Sequence, residues 1–152
     1  MDLTVSTEYI ELLPTRVVDP KSQESIDRAV TGVQRLPIRL EPNECVLLGT
    51  EETIEVPPGW LGLVCLRSTF ARLGLISSPT VADPGFKGTL TLGVYNASKS
   101  PVLIESGIRL WSLHYLVVPD ITRRYTGKYQ GQSKITGPKA IEKGVNDGSV
   151  SQ

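Results

Sequence analysis

The sequence predicts an all-β fold, a barrel or sandwich carrying one or two short helices. Three observations predict it. Eleven Pro and fourteen Gly punctuate the chain. Between them lie short β-branched runs at close spacing with turn signals on either side. Helical periodicity is confined to two brief stretches. A length of 152 residues suits one domain. A hydrophobic content of 39% against 21% charged supplies a core and argues against wholesale disorder.

Taken in order, the first helical stretch is "SQESIDRAVTGV", where Ile26, Ala29, Val30 and Val33 recur at helical spacing. Strands are expected at Ile38–Leu40, Cys45–Leu48, Thr53–Val56 and Leu61–Leu66. "RSTFARLG" is the second helical stretch. Ser68 is placed to cap it, Phe70 and Leu73 make an apolar side, and Gly74 can close it in the left-handed conformation. Further strands are expected at Thr80–Ala82, Thr89–Tyr95, Val102–Ile104 and Arg109–Val118. One domain is expected over 1–133, followed by a mobile tail over 134–152 that lacks periodicity.

Composition narrows the function. Formal net charge is zero, without the basic excess expected of a general nucleic-acid binder. From Asp120 onward, however, six Lys/Arg stand against three acids, a bias towards a small anionic partner. No apolar run approaches the ~20 residues that span a membrane. The opening residues carry acids where a signal peptide would be basic and apolar, so the expected compartment is the cytoplasm. Cys45 and Cys65 lie in apolar runs and read as buried free thiols. One His and no Cys-x-x-Cys leave too few ligands for a zinc site. His114 is expected to be a packing or subunit-contact residue, and Trp60 and Trp111 to be core or interface aromatics. Glu51-Glu52 is expected to be a solvated turn.

The stretch from Leu66 to Leu90, "LRSTFARLGLISSPTVADPGFKGTL", concentrates the candidate chemistry. A helix starting at Arg67-Ser68-Thr69 would aim free N–H groups outward, a geometry suited to phosphate oxygens. Ser68 and Thr69 add hydroxyls, and Arg67 and Arg72 add guanidinium forks. A capped surface turn with two solvated arginines fits the same residues, and both readings stand. Asp83 follows an apolar strand and precedes Pro84-Gly85. It can bond its own turn backbone or orient and deprotonate a water. Phe86 would offer an apolar plate to a sugar or base.

Four segments in order then resemble the superfamily shared by dUTP pyrophosphatases (dUTPases) and dCTP deaminases. "RSTFARLGL" resembles its phosphate motif. "VADPGFKGTLTLGVYN" resembles the motif of Asp, an aromatic three residues on, Gly, and a strand ending in aromatic-Asn. "SGIRLWSL" resembles the Gly-x-Arg-Ile segment, and "YTGKYQGQ" the C-terminal segment that closes over the nucleotide. "MDLTVSTEYIEL" is similar to the Asp-Leu strand near the family's N-terminus. The resemblance implies a distorted β-barrel, jelly-roll-like (β-clip) subunit in a homotrimer with active sites between subunits. It also implies a closing segment at 125–132.

The resemblance offers two reactions. In the deaminase branch a Glu two residues before Tyr-Asn is the acid/base on the cytosine ring. Gly93 stands there in "TLGVYN", with no titratable group. The expectation is therefore dUTP hydrolysis to dUMP and pyrophosphate. Asp83 would activate the attacking water, and Mg²⁺ would ride on the triphosphate with no direct protein ligand. Arg67, Ser68, Thr69, Arg72, Lys128 and Gln132 would hold phosphates. Phe86, Thr91, Leu92, Gly93 and Tyr125 would hold the nucleoside. Two alternatives are a non-catalytic nucleotide-binding regulatory homologue and a dCTP deaminase.

Overall fold

The computed structural model of the chain describes residues 1–15, 17–118 and 124–141. In chain order the elements are β1 (Asp2–Glu11), α1 (Gln23–Asp27), β2 (Gln34–Arg35), β3 (Ile38–Leu40), β4 (Cys45–Thr50), β5 (Ile54–Glu55) and β6 (Trp60–Leu66). They continue with α2 (Ser68–Arg72), β7 (Leu75–Ile76), β8 (Thr80–Ala82), β9 (Lys87–Gly88), β10 (Thr91–Asn96), β11 (Val102–Ile104) and β12 (Arg109–Val117). The fold is mostly β with two short helices, as the sequence predicts.

One curled eight-stranded sheet runs β7-β10-β4-β1-β12-β6-β8, with β2 added beside β1. The pairs β11-β3 and β5-β9 form two separate two-stranded sheets. Every pairing is antiparallel. Strand β1 holds the sheet together because it changes partner along its length. Its first residues pair with β12, and Tyr9 to Glu11 pair with β4. Register shifts after Leu3 and after Val5 mark the change, and such irregularities bend a strand.

Alternation selects the core. Leu3 and Val5, Val46 and Leu48, and Leu92 and Val94 point inward from β1, β4 and β10. Trp111 and Leu113 complete this wall from β12. Trp111 is fully buried, with its Nε1 3.3 Å from the Ser77 Oγ. Trp60 is 40% exposed at the sheet's rim, so it is not core in this chain. Asn96, at the end of β10, is buried and fully bonded. Its Nδ2 donates to the carbonyls of Leu40 and Ser100, both at 2.9 Å, and its Oδ1 accepts from Ser98 N at 3.0 Å and Ser98 Oγ at 2.7 Å. A buried amide satisfied on all sides fixes the β10–β11 turn.

Several expectations need correction. Strand β10 begins at Thr91, not Thr89, because the Thr89 and Leu90 amides are taken by the Gln132 carbonyl (2.7 Å) and the Thr50 Oγ1 (2.9 Å). Strand β4 extends to Thr50. Ser68 does not cap α2. Arg67 occupies that position with no side-chain cap bond. Gly74 does adopt positive φ, at 89°. Helix α1 ends at Asp27, so of its expected apolar face only Ile26 lies in the helix, with Ala29 buried just beyond and Val33 exposed. Glu52 is not simply solvated, since both its oxygens accept from Thr4 N, at 3.1 and 2.8 Å. No helix among the described residues is long and apolar enough to cross a membrane.

Candidate active site

The β8–β10 segment builds one side of a cavity of about 300 Å³. Leu47 of β4 and Thr80 to Asp83 contribute from the sheet, and Phe86 with Thr89 to Thr91 from the turn that follows. The opposite side comes from the C-terminal segment: Tyr125, Tyr129, Gln132 and Thr136 to Pro138. Asp83 is the one carboxylate among the lining residues.

Local chemistry explains the Asp83 turn. Pro84 and Gly85 occupy its centre, Gly85 has a φ of 82°, and Phe86 N closes it on the Asp83 carbonyl at 3.0 Å. Asp83 is thereby held exposed at the cavity rim, and it also lines a second cavity of about 360 Å³ with Pro84, Arg124 and Tyr125. Phe86 is 5% exposed and meets Tyr125 edge-on, with ring centroids 5.6 Å apart and planes at 67°.

The segment 124–141 lies over this wall as a strap. Tyr125 N donates to the Pro84 carbonyl at 2.8 Å, and Gly131 N to the Lys87 carbonyl at 2.9 Å. Gln130 bridges Lys87 N (2.9 Å) and the Gly85 carbonyl (2.8 Å). Gln132 Nε2 donates to Thr91 Oγ1 at 2.7 Å, and Thr136 N to the same oxygen at 3.0 Å. This approach requires glycine at position 88, where a Cβ would stand 2.7 Å from the Gln132 carbonyl oxygen.

The expected site residues do not all meet at the cavity. Asp83, Phe86, Thr91, Tyr125 and Gln132 line the cavity together. Leu92 points the other way, into the core. Gly93 lies two residues along β10 from Thr91, on the same strand face, and a Cβ there would meet only Leu47 Cδ2 at 3.8 Å. Lys128 sits on the strap, with its Nζ bonded to the carbonyls of Lys139 (2.7 Å) and Ala140 (3.0 Å). Arg67, Ser68, Thr69 and Arg72 do not line the cavity. Arg67 instead pairs with Asp2 at 2.5 Å, and Arg109 reaches the same carboxylate at 4.0 Å. Sequence reasoning missed Tyr129, Thr136 and Pro138. Tyr129 lies inside the expected closing segment, whereas Thr136 and Pro138 lie beyond it, in the stretch without periodicity.

His114 is exposed, and its Nε2 lies 3.0 Å from the Ser112 Oγ. Both cysteines are free and half-buried, and burial raises the Cys45 thiol pKa above its ordinary value. Among the described residues no group of three or more His, Cys, Asp or Glu could hold a metal ion.

The chain is similar to known proteins in sequence and in fold. The model of the family described as dCTP deaminase-like matches residues 1–116. The chain belongs to the dCTP deaminase-like family. Its match to the dCTP deaminase of Pyrobaculum islandicum is 38% identical over 143 residues, covering 93% of this chain and 80% of the relative. The dCTP deaminase of Acidianus ambivalens is 42% identical over 147 residues, covering 91% and 80%. Among solved structures, the dCTP deaminase of Agrobacterium tumefaciens aligns with a TM-score of 0.65 at 19% identity. That alignment covers 79% of this chain and 42% of that one. The native EIAV dUTPase aligns with a TM-score of 0.52 at 21% identity, covering 80% and 98%.

These findings overturn the expectation of dUTP hydrolysis. The family model and the relatives at 38 and 42% identity are all on the deaminase side. The likeness to dUTPase is one of fold. Gly93 is a single missing side chain, and it does not outweigh similarity to dCTP deaminases spread over more than nine-tenths of the chain. Membership of an enzyme family of nucleotide metabolism stands.

Proposed function

We propose that this chain is a dCTP deaminase that seats the nucleotide in the cavity between β10 and the strap. Similarity to named dCTP deaminases over more than 90% of the chain is the observation that carries this reading. The cavity suits the substrate, with apolar walls, the Phe86 ring for the sugar, and the Thr91 hydroxyl at the ring edge. Water would add to C4 of cytosine and ammonia would leave, giving dUTP. Asp83 is the lining carboxylate available to take the water's proton and return it to the leaving amine. Mg²⁺ would arrive with the triphosphate, as is usual for nucleotide substrates. Arg67 and Arg72 lie outside the cavity of their own chain, so we place them against the phosphates of a neighbouring copy, in a homotrimer.

A second reading is nucleotide binding without deamination, and Gly93 favours it. The family resemblance implies a Glu there, and this chain has no side chain at that point. One experiment tests both. The protein is incubated with dCTP and Mg²⁺, ammonia is measured, and dCTP binding is measured by calorimetry. Ammonia release supports deamination. Binding without ammonia selects the second reading. In that case Gly93→Glu, which has room at Cβ, is expected to gain ammonia release. Neither binding nor ammonia would reject both.

A further inference from the structure

We infer that the base end of the cavity admits a cytosine whose exocyclic amine carries a small alkyl group. The substrate class then extends to N4-alkylated deoxycytidine triphosphates. The inference rests on the proposed seating of the nucleotide, with the sugar at Phe86 and the ring edge at Thr91. Strand β10 continues past that ring edge. Thr91 and Gly93 share one strand face, roughly 6.5 Å apart for two residues. In a pyrimidine the group on C4 is the one furthest from the sugar-bearing N1. It therefore reaches towards Gly93.

This end of the cavity is open and apolar. A Cβ built on Gly93 would meet only Leu47 Cδ2 among the described residues, at 3.8 Å, an ordinary van der Waals contact. One carbon atom therefore fits there without displacing a neighbour. Gly93 pairs with Leu47 across the β4–β10 ladder, and Leu47 lines the cavity. The strap covers the same row of the sheet. A Cβ on Gly137 would stand 3.9 Å from Ile10 Cδ1, and Ile10 pairs with Leu47 on the other side. Gly137 and Pro138 both line the cavity. No side chain among Leu47, Gly93, Gly137 and Pro138 carries a hydrogen-bonding atom. An unsubstituted amine would bring two N–H groups into this recess, and a buried N–H without an acceptor is costly. An alkyl group in place of one N–H removes that cost and fills the space beside Leu47. Hydrolysis balances as it does for cytosine. The water oxygen bonds to C4 and the bond from C4 to the exocyclic nitrogen breaks. One water proton goes to the departing amine and the other to N3, giving dUTP and the alkylamine.

The test reads selectivity between two nucleotides. Dissociation constants for dCTP and N4-methyl-dCTP are measured by calorimetry with Mg²⁺, in wild type and in Gly93→Ala, and ammonia and methylamine are assayed alongside. Wild type is expected to bind N4-methyl-dCTP about fourfold more tightly than dCTP, the scale of one buried methyl group. In Gly93→Ala the new Cβ takes the place of that methyl. The preference should then reverse, to roughly tenfold in favour of dCTP, the scale of one overpacked carbon. Methylamine release from N4-methyl-dCTP should accompany ammonia release from dCTP. Wild-type binding of N4-methyl-dCTP tenfold weaker than of dCTP would overturn the inference and leave the dCTP reading standing. So would a preference that Gly93→Ala leaves unchanged, or ammonia from dCTP with no methylamine from the methylated nucleotide. A wild type that binds neither nucleotide would overturn both.

Discussion

Two cationic segments read alike in the sequence and sit differently in the structure. Arg67–Arg72 lies on α2, away from the cavity, with Arg67 turned onto Asp2. Tyr125–Gln132 lies against the cavity of its own chain, bonded residue by residue to 84–91. The difference teaches where a site is built within one chain and where it is left open. The strap closes one side of the cavity in cis. The α2 segment has no such partner, and its Ser68 and Thr69 are exposed. An outward-facing α2 is what the proposed sharing of phosphate contacts between copies requires.

The strongest way to break that comparison is complementation. Asp83→Asn keeps the turn but removes the base, and general acid–base catalysis contributes 10²–10⁴-fold, so ammonia release from dCTP should fall by about that much. Arg67→Ala should also fall, through lost phosphate contact. Unfolding and refolding the two variants together should restore part of the activity if one copy's α2 serves another's cavity. Recovery no greater than the sum of the separate variants would show that α2 does not act in trans.

A smaller effect is expected from Gly88→Val. The new Cβ would stand 2.7 Å from the Gln132 carbonyl oxygen, a backbone atom that cannot swing aside. The strap must then lift from β9, and the Thr89 N to Gln132 bond is lost. Amide exchange at Thr89 and Gly131 should speed at least tenfold, with dCTP affinity falling in parallel. Unchanged exchange would mean that the strap is not docked in solution.

Why one region was legible and the other was not follows from the residues themselves. Strands β3, β8 and β11 match their expected bounds because Pro, Asn, Asp or Gly stands near each end. The two-residue strands β2, β7 and β9 are too short for a period of two to show. The Asp83–Phe86 turn was legible because Pro84-Gly85 has a fixed local conformation. The strap was legible by resemblance over 125–132 but not in its continuation to Pro138, because its docking comes from contacts distant in sequence. Gln130, Gln132 and Thr136 bond to residues more than forty positions away. Asn96 belongs to the motif that resembles a nucleotide site, yet its side chain bonds Ser98 and Ser100 of its own turn and the Leu40 carbonyl of β3. Gly93 misled for the opposite reason. Its missing side chain was plain in the sequence, but family membership rests on the chain as a whole.

The mildest change sharpens the contrast between the two segments without disturbing the fold. Thr91→Val keeps shape and removes one oxygen. That oxygen accepts from both Gln132 Nε2 and Thr136 N, so two strap bonds are lost at once. Both donors are only half-buried and water can replace the partner, so the expected cost is about 1 kcal/mol, near the low end for a lost hydrogen bond. Amide exchange at Thr136 should therefore speed several-fold, with the global unfolding midpoint unchanged. Ser68→Ala is the matched control on α2, since the Ser68 side chain makes no capping bond and is exposed. It should leave exchange in its own helix at the wild-type rate. If Ser68→Ala loosened α2 as much as Thr91→Val loosens the strap, the two segments would be equally fastened within one chain. The case for α2 as a cradle offered to another copy would then lose its footing.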